Sequence, residues 1–235
     1  MKKCAIVIPS FNEGLRVTKT ILDLSQVLQE VSQEFRFELV VVDDCSSEPV
    51  NVTQQGIGFP IYILRHTINL GQGAALETGF AFCRKNLKPD YVATVDADGQ
   101  HNAKDIIRFL RHLEKENLDI LFATRFKKSP HIPWMRKVIL KMASRFELFI
   151  TGLNLSDAHN GFRVFNYKCL EQLKLTQNRM AHATEIKQIV ASKKLNYAEL
   201  ENSITYSQES LQKGQSNLGA LLILKDLLNS YLFDR

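Results

Sequence analysis

Short runs of β-branched and aliphatic residues alternate with helical patterns through the first half of the chain, and this alternation limits the folds it can adopt. Predicted strands and helices follow one another in the order Cys4–Ile8, Leu15–Val31, Phe37–Val42, Ile61–Leu64, Gly73–Asn86, Tyr91–Val95, Lys104–Glu116 and Ile120–Ala123. Strands that alternate with helices build a parallel sheet with helices on both faces. We therefore predict an α/β fold with three layers, α/β/α, around a mostly parallel central sheet.

The second half of the chain is less regular, and it contains no clear linker that would mark a domain boundary. Its predicted elements are the helices Pro133–Ile150, Ala183–Ala191 and Leu218–Phe233 and the short strands Phe162–Phe165, Asn196–Leu200 and Ile204–Tyr206. A chain of 235 residues suits one large core. We predict a single domain, residues 1–235, with two functional halves, 1–125 and 126–235.

Composition limits the classes of binding partner and the cellular compartment that fit this protein. The net charge of +5 fits a phosphorylated substrate or an anionic membrane surface, whereas no dense basic run or known motif supports nucleic-acid binding. The four cysteines are scattered without metal-ligand spacing, which indicates free thiols in a reducing compartment. No run reaches the about 20 apolar residues of a membrane span, and the apolar run behind Met1 is too short for a signal peptide. We expect a cytoplasmic protein.

The stretch from Tyr91 to His101 carries the clearest chemical signal. A predicted strand ends in Asp96 and Asp98, one residue apart, followed by Gly99, Gln100 and His101. In open α/β sheets, ligands bind outside the carboxyl ends of the strands. Carboxylate and amide oxygens suit Mg²⁺ or Mn²⁺, and such a cation is usually completed by water and by the phosphates of a substrate. The sequence therefore predicts a metal–diphosphate site.

Two further polar clusters follow predicted strands. Asn12 and Glu13 come after the first strand, and Asp43 and Asp44 come after the second. Parallel neighbouring strands would bring all three clusters to one edge of the sheet, where carboxylates can accept hydrogen bonds from a ribose or a base. A helix cap and turn is the alternative interpretation of Asp43 to Ser47, because Asp and Ser favour both.

Residues 69–79 form a glycine-rich entry into a predicted helix. Backbone amides at a helix N-terminus suit an anion, so Gly71 and Gly73 are candidates for phosphate contact. A plain turn, with Gly79 allowing close packing of the helix on the sheet, is the alternative. The segment matches neither GxGxxG nor GxxxxGK[ST], which disfavours a dinucleotide oxidoreductase.

These motifs occur in a fixed order that resembles the family 2 glycosyltransferases, and most closely the branch of dolichol- and polyprenol-phosphate sugar transferases. The matching segments are Ile-Val-Ile-Pro-Ser-Phe-Asn-Glu, Val-Val-Val-Asp-Asp-Cys-Ser, Asn-Leu-Gly-Gln-Gly-Ala-Ala-Leu, Asp-Ala-Asp-Gly-Gln-His, Asp-Ala-His-Asn-Gly-Phe-Arg-Val-Phe and Lys-Gly-Gln-Ser. The resemblance covers nearly the whole chain. It implies a GT-A fold, with a nucleotide-binding half (1–125) and an acceptor half (126–235).

The resemblance also implies an activity and a set of ligands. It implies inverting transfer of a sugar from a nucleotide-sugar donor to a polyprenyl phosphate or a cell-surface glycan in cell-envelope biogenesis, at the cytoplasmic face of a membrane. Asp98 and Gln100 would bind the metal, and Asp96 would contact the metal or the ribose. His101 is an alternative ligand, although capping of the next helix explains it better. Nucleoside contacts would come from Pro9, Asn12, Glu13 and Asp44.

Acceptor-side residues follow from the same resemblance. Asp157, Gly161 and Arg163 lie in a D-x-x-x-G-F-R element, where Gly161 permits an unusual backbone angle or a close approach and Arg163 can bind phosphate. Arg125 is a second candidate for phosphate. Glu185 is a candidate general base and acceptor-site residue, although a phosphate acceptor would need no base. Lys213 begins a segment expected to close over the diphosphate.

Several alternatives stay open at this point. Gln72 stands where the family often has a basic residue, which weakens any grip of this loop on phosphate. Helix Pro133–Ile150 has a basic face that could contact a membrane surface, although core packing also explains its apolar stripe. A nucleotide-sugar-binding module without activity, or a phospho-receiver built on Asp43 and Asp44, are the alternative functions. The sequence does not indicate the base, the sugar or the oligomeric state.

Overall fold

A computed structural model describes residues 1–30, 34–53, 56–124, 148, 151–157 and 160–203. Strands β1 to β7 span Lys2–Ser10, Phe35–Asp43, Ile61–Arg65, Tyr91–Thr94, Ile120–Thr124, Arg163–Asn166 and Tyr197–Glu201. Helices α1 to α5 span Leu15–Glu30, Gln72–Phe82, Ala103–Lys115, Tyr167–Gln172 and His182–Ser192. Predicted elements Leu218–Phe233 and Ile204–Tyr206 lie outside the described residues, as does all of Pro133–Ile150 except the helical, exposed Leu148.

The strands form one seven-stranded sheet in the order β3-β2-β1-β4-β6-β5-β7. All neighbouring strands are parallel except where β6 runs antiparallel between β4 and β5. The predicted mostly parallel sheet is therefore confirmed. The antiparallel insertion of β6 was not predicted, because a four-residue strand pattern carries no signal of its direction. The insertion matters for the site, since it pairs Thr94 at the end of β4 with Arg163 at the start of β6.

Two apolar layers sandwich the sheet, as the continuous apolar runs of the strands predict. In β1, Cys4, Ile6 and Ile8 pack with helices α1 and α3, and the alternate residues Ala5 and Val7 pack with α2, α4 and α5 on the other face. All five are fully buried. This arrangement confirms the three-layer α/β/α prediction.

Helix α2 lies unusually close to the sheet at Gly79. A Cβ built on Gly79 would collide with Val7 Cγ1 and lie 3.5 Å from Val42 Cγ2. The helix is also shorter than predicted, because a π-helical turn, Cys83–Leu87, replaces its last part and ends at Lys88 with a left-handed φ of 47°. Close packing of α2 on β1 fixes the position of the glycine-rich loop at its N-terminus.

Candidate active site

The carboxyl ends of β1, β2 and β4 open into a pocket with a volume of about 430 Å³. It lies where the topology of the parallel strands predicts a ligand site. Eight sequence-predicted residues line it, namely Pro9, Glu13, Asp44, Gly71, Asp96, Asp98, Gly161 and Arg163. Others that line it include Phe11, Asn69, Gln72, Met180 and His182. The structure therefore brings the first three polar clusters together with the D-x-x-x-G-F-R element.

Asp96 lies where the two halves of the site meet. Its Oδ1 accepts a hydrogen bond from Gln72 Nε2 at 3.1 Å, and its Oδ2 lies 3.2 Å from His101 Nε2. Burial raises the pKa of Asp96, but the hydrogen bond from His101 and the positive charge of Arg163 outweigh that effect, so the pKa lies below its usual value. Asp96 is therefore ionised at neutral pH.

Gly161, two residues before strand β6, lies against Asp96. A Cβ built on Gly161 would collide with Asp96 Oδ2 and lie 2.7 Å from its Cγ. The predicted close approach, rather than an unusual backbone angle, is therefore what this position requires. Thr94 holds the approach in place, since its Oγ1 donates to Gly161 O at 2.7 Å and accepts from Arg163 N at 3.2 Å.

Asp98 occupies the pocket wall next to Asp96. Its Oδ1 accepts a hydrogen bond from Gln100 N at 3.0 Å, and the Gln100 side chain is not among the described groups that line the pocket. No cluster of three or more His, Cys, Asp or Glu side chains suited to a metal occurs among the described residues. Mg²⁺ needs no such cage, because it keeps several waters and binds one or two carboxylates together with substrate phosphates. Asp96 and Asp98 fit that requirement.

His101 does not cap the next helix, so that alternative is wrong. Asn102 is the N-cap of α3, and its side chain accepts the hydrogen bond of Lys104 N at 3.0 Å. His101 instead stacks on Phe162 with 5.4 Å between ring centroids. Its Nε2 faces Asp96, as described above.

Asp44 supports the glycine-rich loop. Its buried carboxylate accepts hydrogen bonds from the backbone of Leu70 (2.9 Å) and Gly71 (2.6 Å), from Asn69 Nδ2 (2.8 Å), and lies 2.7 Å from His66 Nδ1. Asp44 thus borders the pocket, while most of its hydrogen bonds hold the loop in place.

Asp43 and Asn12 hold loops rather than line the pocket among the described residues. Asp43 is fully buried and accepts hydrogen bonds from Ser46 N at 2.9 Å and Val50 N at 3.2 Å, which is the turn interpretation of this segment. Asn12 has a left-handed φ of 54° and accepts from Ser47 N at 2.9 Å. Direct ligand contact predicted for these two side chains is not what their positions favour.

The two candidate phosphate-binding glycines serve a close approach between backbones. A Cβ on Gly71 or on Gly73 would lie 2.8 Å from Asn178 O, and Ala74 N donates to the same oxygen at 3.0 Å. Gly71 also has a φ of 97°, which favours glycine. One amide at the helix N-terminus is therefore taken by protein rather than by an anion, and the loop is joined to the segment before α5.

Glu185 holds that same segment. Its Oε1 accepts from Thr176 N at 2.8 Å and Thr176 Oγ1 at 2.6 Å, and its Oε2 accepts from Gln177 N at 3.0 Å. Glu185 does not line the pocket among the described residues. Both oxygens are occupied, which favours a positioning role for Glu185 over that of the predicted general base.

The remaining acceptor-side predictions divide in two. Asp157 is buried, its backbone N donates to Glu199 Oε1 at 3.3 Å, and it is absent from the described lining of the pocket. Arg163 is 2% exposed and lines the pocket, with Nη1 3.3 Å from Gly161 O. Arg125 and Lys213 lie outside the described residues.

His182 was missed by the sequence prediction, which singled out Glu185 on the same helix. It is 2% exposed, it lines the pocket, and its Nδ1 lies 2.6 Å from Arg179 O, to which it donates. Burial and the charge of Arg163 lower the pKa of His182 to about 4. A buried, neutral histidine facing a pocket cannot be recognised from a lone His at the start of a helix.

Known proteins are similar to this chain in sequence and in architecture. Residues 5–174 match the family described as Glycosyl transferase family 2. The chain belongs to this family. Because the match covers most of the chain, the resemblance inferred from the motifs is confirmed, and the protein is a glycosyltransferase. A phospho-receiver function and an inactive binding module are thereby set aside.

Two relatives and one solved structure illustrate the likeness. An uncharacterised protein of Methanocaldococcus jannaschii is 28% identical over 97% of this chain and 92% of its own. Dodecaprenyl-phosphate galacturonate synthase of Rhizobium johnstonii is 29% identical over 73% of this chain and 50% of its own. Glucosyl-3-phosphoglycerate synthase of Mycobacterium tuberculosis, crystallised with Mg²⁺ and uridine diphosphate, is 16% identical with a TM-score of 0.60 over 94% of this chain and 78% of its own. The structural likeness confirms the GT-A fold.

Buried His182 predicts an acid-sensitive stability. Because its pKa is about 4 in the folded state and about 6.5 when unfolded, the unfolded chain binds more protons between these values. The contribution of neutral His182 to the free energy of unfolding is therefore complete above pH 6.5. It is lost as the pH drops towards 4, which lowers the free energy of unfolding by about 3 kcal/mol.

Urea unfolding at pH 7, 5.5 and 4.5 would measure this loss. His182→Asn keeps a donor for Arg179 O but removes the titrating group, so its free energy of unfolding should decline less steeply with acid. Equal slopes for the two proteins would contradict the assignment of a buried neutral histidine.

Proposed function

We propose that this glycosyltransferase moves a sugar, with inversion and with a divalent cation, from a nucleoside diphosphate to a polyprenyl phosphate. The observation that carries the proposal is the polarity of one pocket. The carboxylates of Asp96 and Asp98 line it together with the guanidinium of Arg163 and the ring of His182. The carboxylates can hold a cation that binds anionic oxygens, and the guanidinium can bind a second anion.

The donor nucleoside would lie over the loop that follows β1. Phe11 is 46% exposed at the pocket, so a base can stack on its ring. Glu13 lies in the same wall, where its carboxylate can accept from a ribose or base. Asn12 and Asp43 would act indirectly, since Asn12 joins this loop to the turn after β2 and Asp43 holds that turn.

Asp98 and Asp96 would hold the Mg²⁺ or Mn²⁺ through carboxylate oxygens. A cation bound there would neutralise charge on the leaving nucleoside diphosphate. The mycobacterial relative crystallised with Mg²⁺ and uridine diphosphate supports this requirement. Gln100 would assist through its backbone N–H, which orients Asp98, and Lys213 stays a predicted diphosphate contact.

A single displacement accounts for the transfer. An oxygen of the acceptor phosphate forms a bond to the anomeric carbon as the bond from that carbon to the donor diphosphate breaks, and the configuration inverts. Arg163 would bind the acceptor phosphate and hold its oxygen in line. His182 would be neutral, so the positive charge that binds the acceptor phosphate would come from Arg163.

A phosphate acceptor is preferred over a glycan hydroxyl because of Glu185. A hydroxyl would need a base within hydrogen-bond reach, whereas a phosphate oxygen is already anionic. Both oxygens of Glu185 are engaged by residues 176 and 177. The names of dodecaprenyl-phosphate galacturonate synthase and of polyprenol monophosphomannose synthase support the same choice.

A polyprenyl acceptor also requires contact with a membrane. No helix among the described residues has both the length and the apolar character to cross a bilayer. We propose that the protein reaches its acceptor from the cytoplasmic side as a peripheral protein. The basic face of the predicted helix Pro133–Ile150 stays the candidate contact, outside the described residues.

Donor binding can be tested by thermal shift with a panel of nucleoside diphosphates, each with and without Mn²⁺. We expect one base to raise the melting temperature only when Mn²⁺ is present, since binding to the folded state stabilises it. Asp98→Ala should abolish that shift, whereas Asp90→Ala, at the opposite end of β4, should keep it. A shift that is equal without the metal, or unchanged in Asp98→Ala, would contradict the proposed site.

Acceptor chemistry can be tested with Glu185→Gln. Because Glu185 positions a loop, we expect the amide to lower stability by about 1 kcal/mol, since its Nε2 cannot accept a hydrogen bond that the carboxylate accepts now. With a polyprenyl phosphate as the acceptor, kcat should fall by no more than about tenfold. Part of the loss in kcat/KM should come from a higher KM. A loss of 100-fold or more in kcat, in a variant with wild-type stability, would restore Glu185 as a general base.

A further inference from the structure

Asn202, just after the last strand of the sheet, is linked to the site by a chain of side-chain contacts that the proposed function does not use. Asn202 is 8% exposed. Its Nδ2 lies 3.4 Å from His101 Nδ1, and its Oδ1 accepts from Asn160 Nδ2 at 3.0 Å. His101 in turn lies against Asp96. These four residues come from three separate parts of the sequence.

One backbone group sets the direction of every hydrogen bond in this series of side-chain contacts. Phe162 N–H can only donate, and it does so to Asn160 Oδ1 at 3.1 Å. The amide of Asn160 must therefore present its Nδ2 to Asn202. Asn202 must meet that donor with its Oδ1, which leaves its own Nδ2 facing His101. The orientation of both amides is thus set by donor and acceptor rules.

The Asn202 side chain presents its N–H donor to Nδ1 of His101. A donor opposite Nδ1 requires that this nitrogen carry a lone pair, so the ring proton lies on Nε2. Nε2 faces Asp96 Oδ2, where an N–H can donate to the carboxylate. Stacking on Phe162 and a side chain that is only 7% exposed keep the ring in this position. Both ring nitrogens are therefore committed, and neither offers a lone pair to a metal.

We propose that Asn202 is a positioning residue that acts through His101 to hold the carboxylate of Asp96 in the geometry that binds the cation and donor diphosphate. Gln72 holds Oδ1 from one side, and the Asn160–Asn202–His101 relay holds Oδ2 from the other. The consequence for binding rests on the proposed function, whereas the proton position on His101 does not.

The chain itself supports a fixed position for Asn202. Asn202 N donates to Thr124 O at 3.2 Å, and Ser203 N donates to Asp105 Oδ2 at 2.6 Å. Arg108 Nη2 donates to Glu201 O. The residues on both sides are thus hydrogen-bonded to β5 and α3, so the amide of Asn202 is delivered to His101 by backbone anchored at several points.

Asn202→Asp tests the proposal with almost no change of shape. The new carboxylate can still accept from Asn160 Nδ2, but it presents an acceptor to His101 Nδ1 in place of a donor. Long-range ¹H–¹⁵N NMR of the ring nitrogens should show an unprotonated Nδ1 and a protonated Nε2 in the wild-type protein. In Asn202→Asp, Nδ1 should become protonated. A protonated Nδ1 in the wild type, or an unchanged Nδ1 in the variant, would overturn the relay.

Titration calorimetry with Mn²⁺ and the nucleoside diphosphate found by the thermal-shift panel supplies the second measurement. Loss of such an outer support typically weakens metal affinity 10- to 100-fold, so we expect about tenfold weaker binding in Asn202→Asp. Asn117→Asp makes the same charge change at the far end of α3 and should change neither affinity nor the His101 spectrum. Equal affinity in Asn202→Asp and wild type would reject Asn202 as a positioning residue.

Two further results separate failure of this inference from failure of the proposed function. If the wild type binds no nucleoside diphosphate, the proposed function fails, while the spectrum of His101 still decides the relay. If Asn202→Asp does not fold, Asn160→Asp tests the other end, because it keeps the bond from Phe162 N but removes the donor to Asn202. That variant should also weaken binding, and wild-type affinity there would overturn the proposal.

Discussion

The close approach of Gly161 to the carboxylate of Asp96 is the contact on which the site depends. Any side chain larger than hydrogen at Gly161 would displace the Asp96 carboxylate, because a Cβ there would lie 2.7 Å from Asp96 Cγ. The pairing of β6 with β4 sets up this contact, because β6 runs antiparallel and begins at Arg163, opposite Thr94. The strand that begins with Arg163 is thereby brought against the strand end that carries the predicted metal ligands.

A second contact joins the glycine-rich loop to the segment before α5. Glycines at 71 and 73 let the backbone at Asn178 pack against the start of α2, and Ala74 N donates to Asn178 O. Two carboxylates fix the segment that approaches, since Glu77 accepts from Leu175 N at 2.8 Å and Glu185 accepts from Gln177 N. Rigid walls of this kind suit a reaction that depends on aligning an anionic acceptor with a donor carbon.

The layers of the fold and one edge of the site could be predicted from the sequence because periodicity and strand ends are local signals. Apolar runs marked the buried strands, and polar residues after β1, β2 and β4 marked the edge where Glu13, Asp44 and Asp96 now meet. The insertion of β6 could not be predicted, because strand direction depends on pairing between distant residues. For the same reason the sequence did not separate Glu185, which holds a loop, from His182, which faces the pocket. Asn202 gave no signal, since an isolated Asn after a strand is usually part of a turn.

The central claim is that a cation and the donor diphosphate meet at Asp96 and Asp98, in the pocket that Arg163 also lines. Anomalous diffraction from crystals grown with Mn²⁺ and the preferred nucleoside diphosphate tests it most directly. The account predicts one manganese peak within about 2.5 Å of a carboxylate oxygen of Asp98, with diphosphate oxygens completing the coordination and with His101 nitrogen outside it. A manganese peak ligated by His101, or a diphosphate bound against Arg163 with no metal at Asp98, would contradict it.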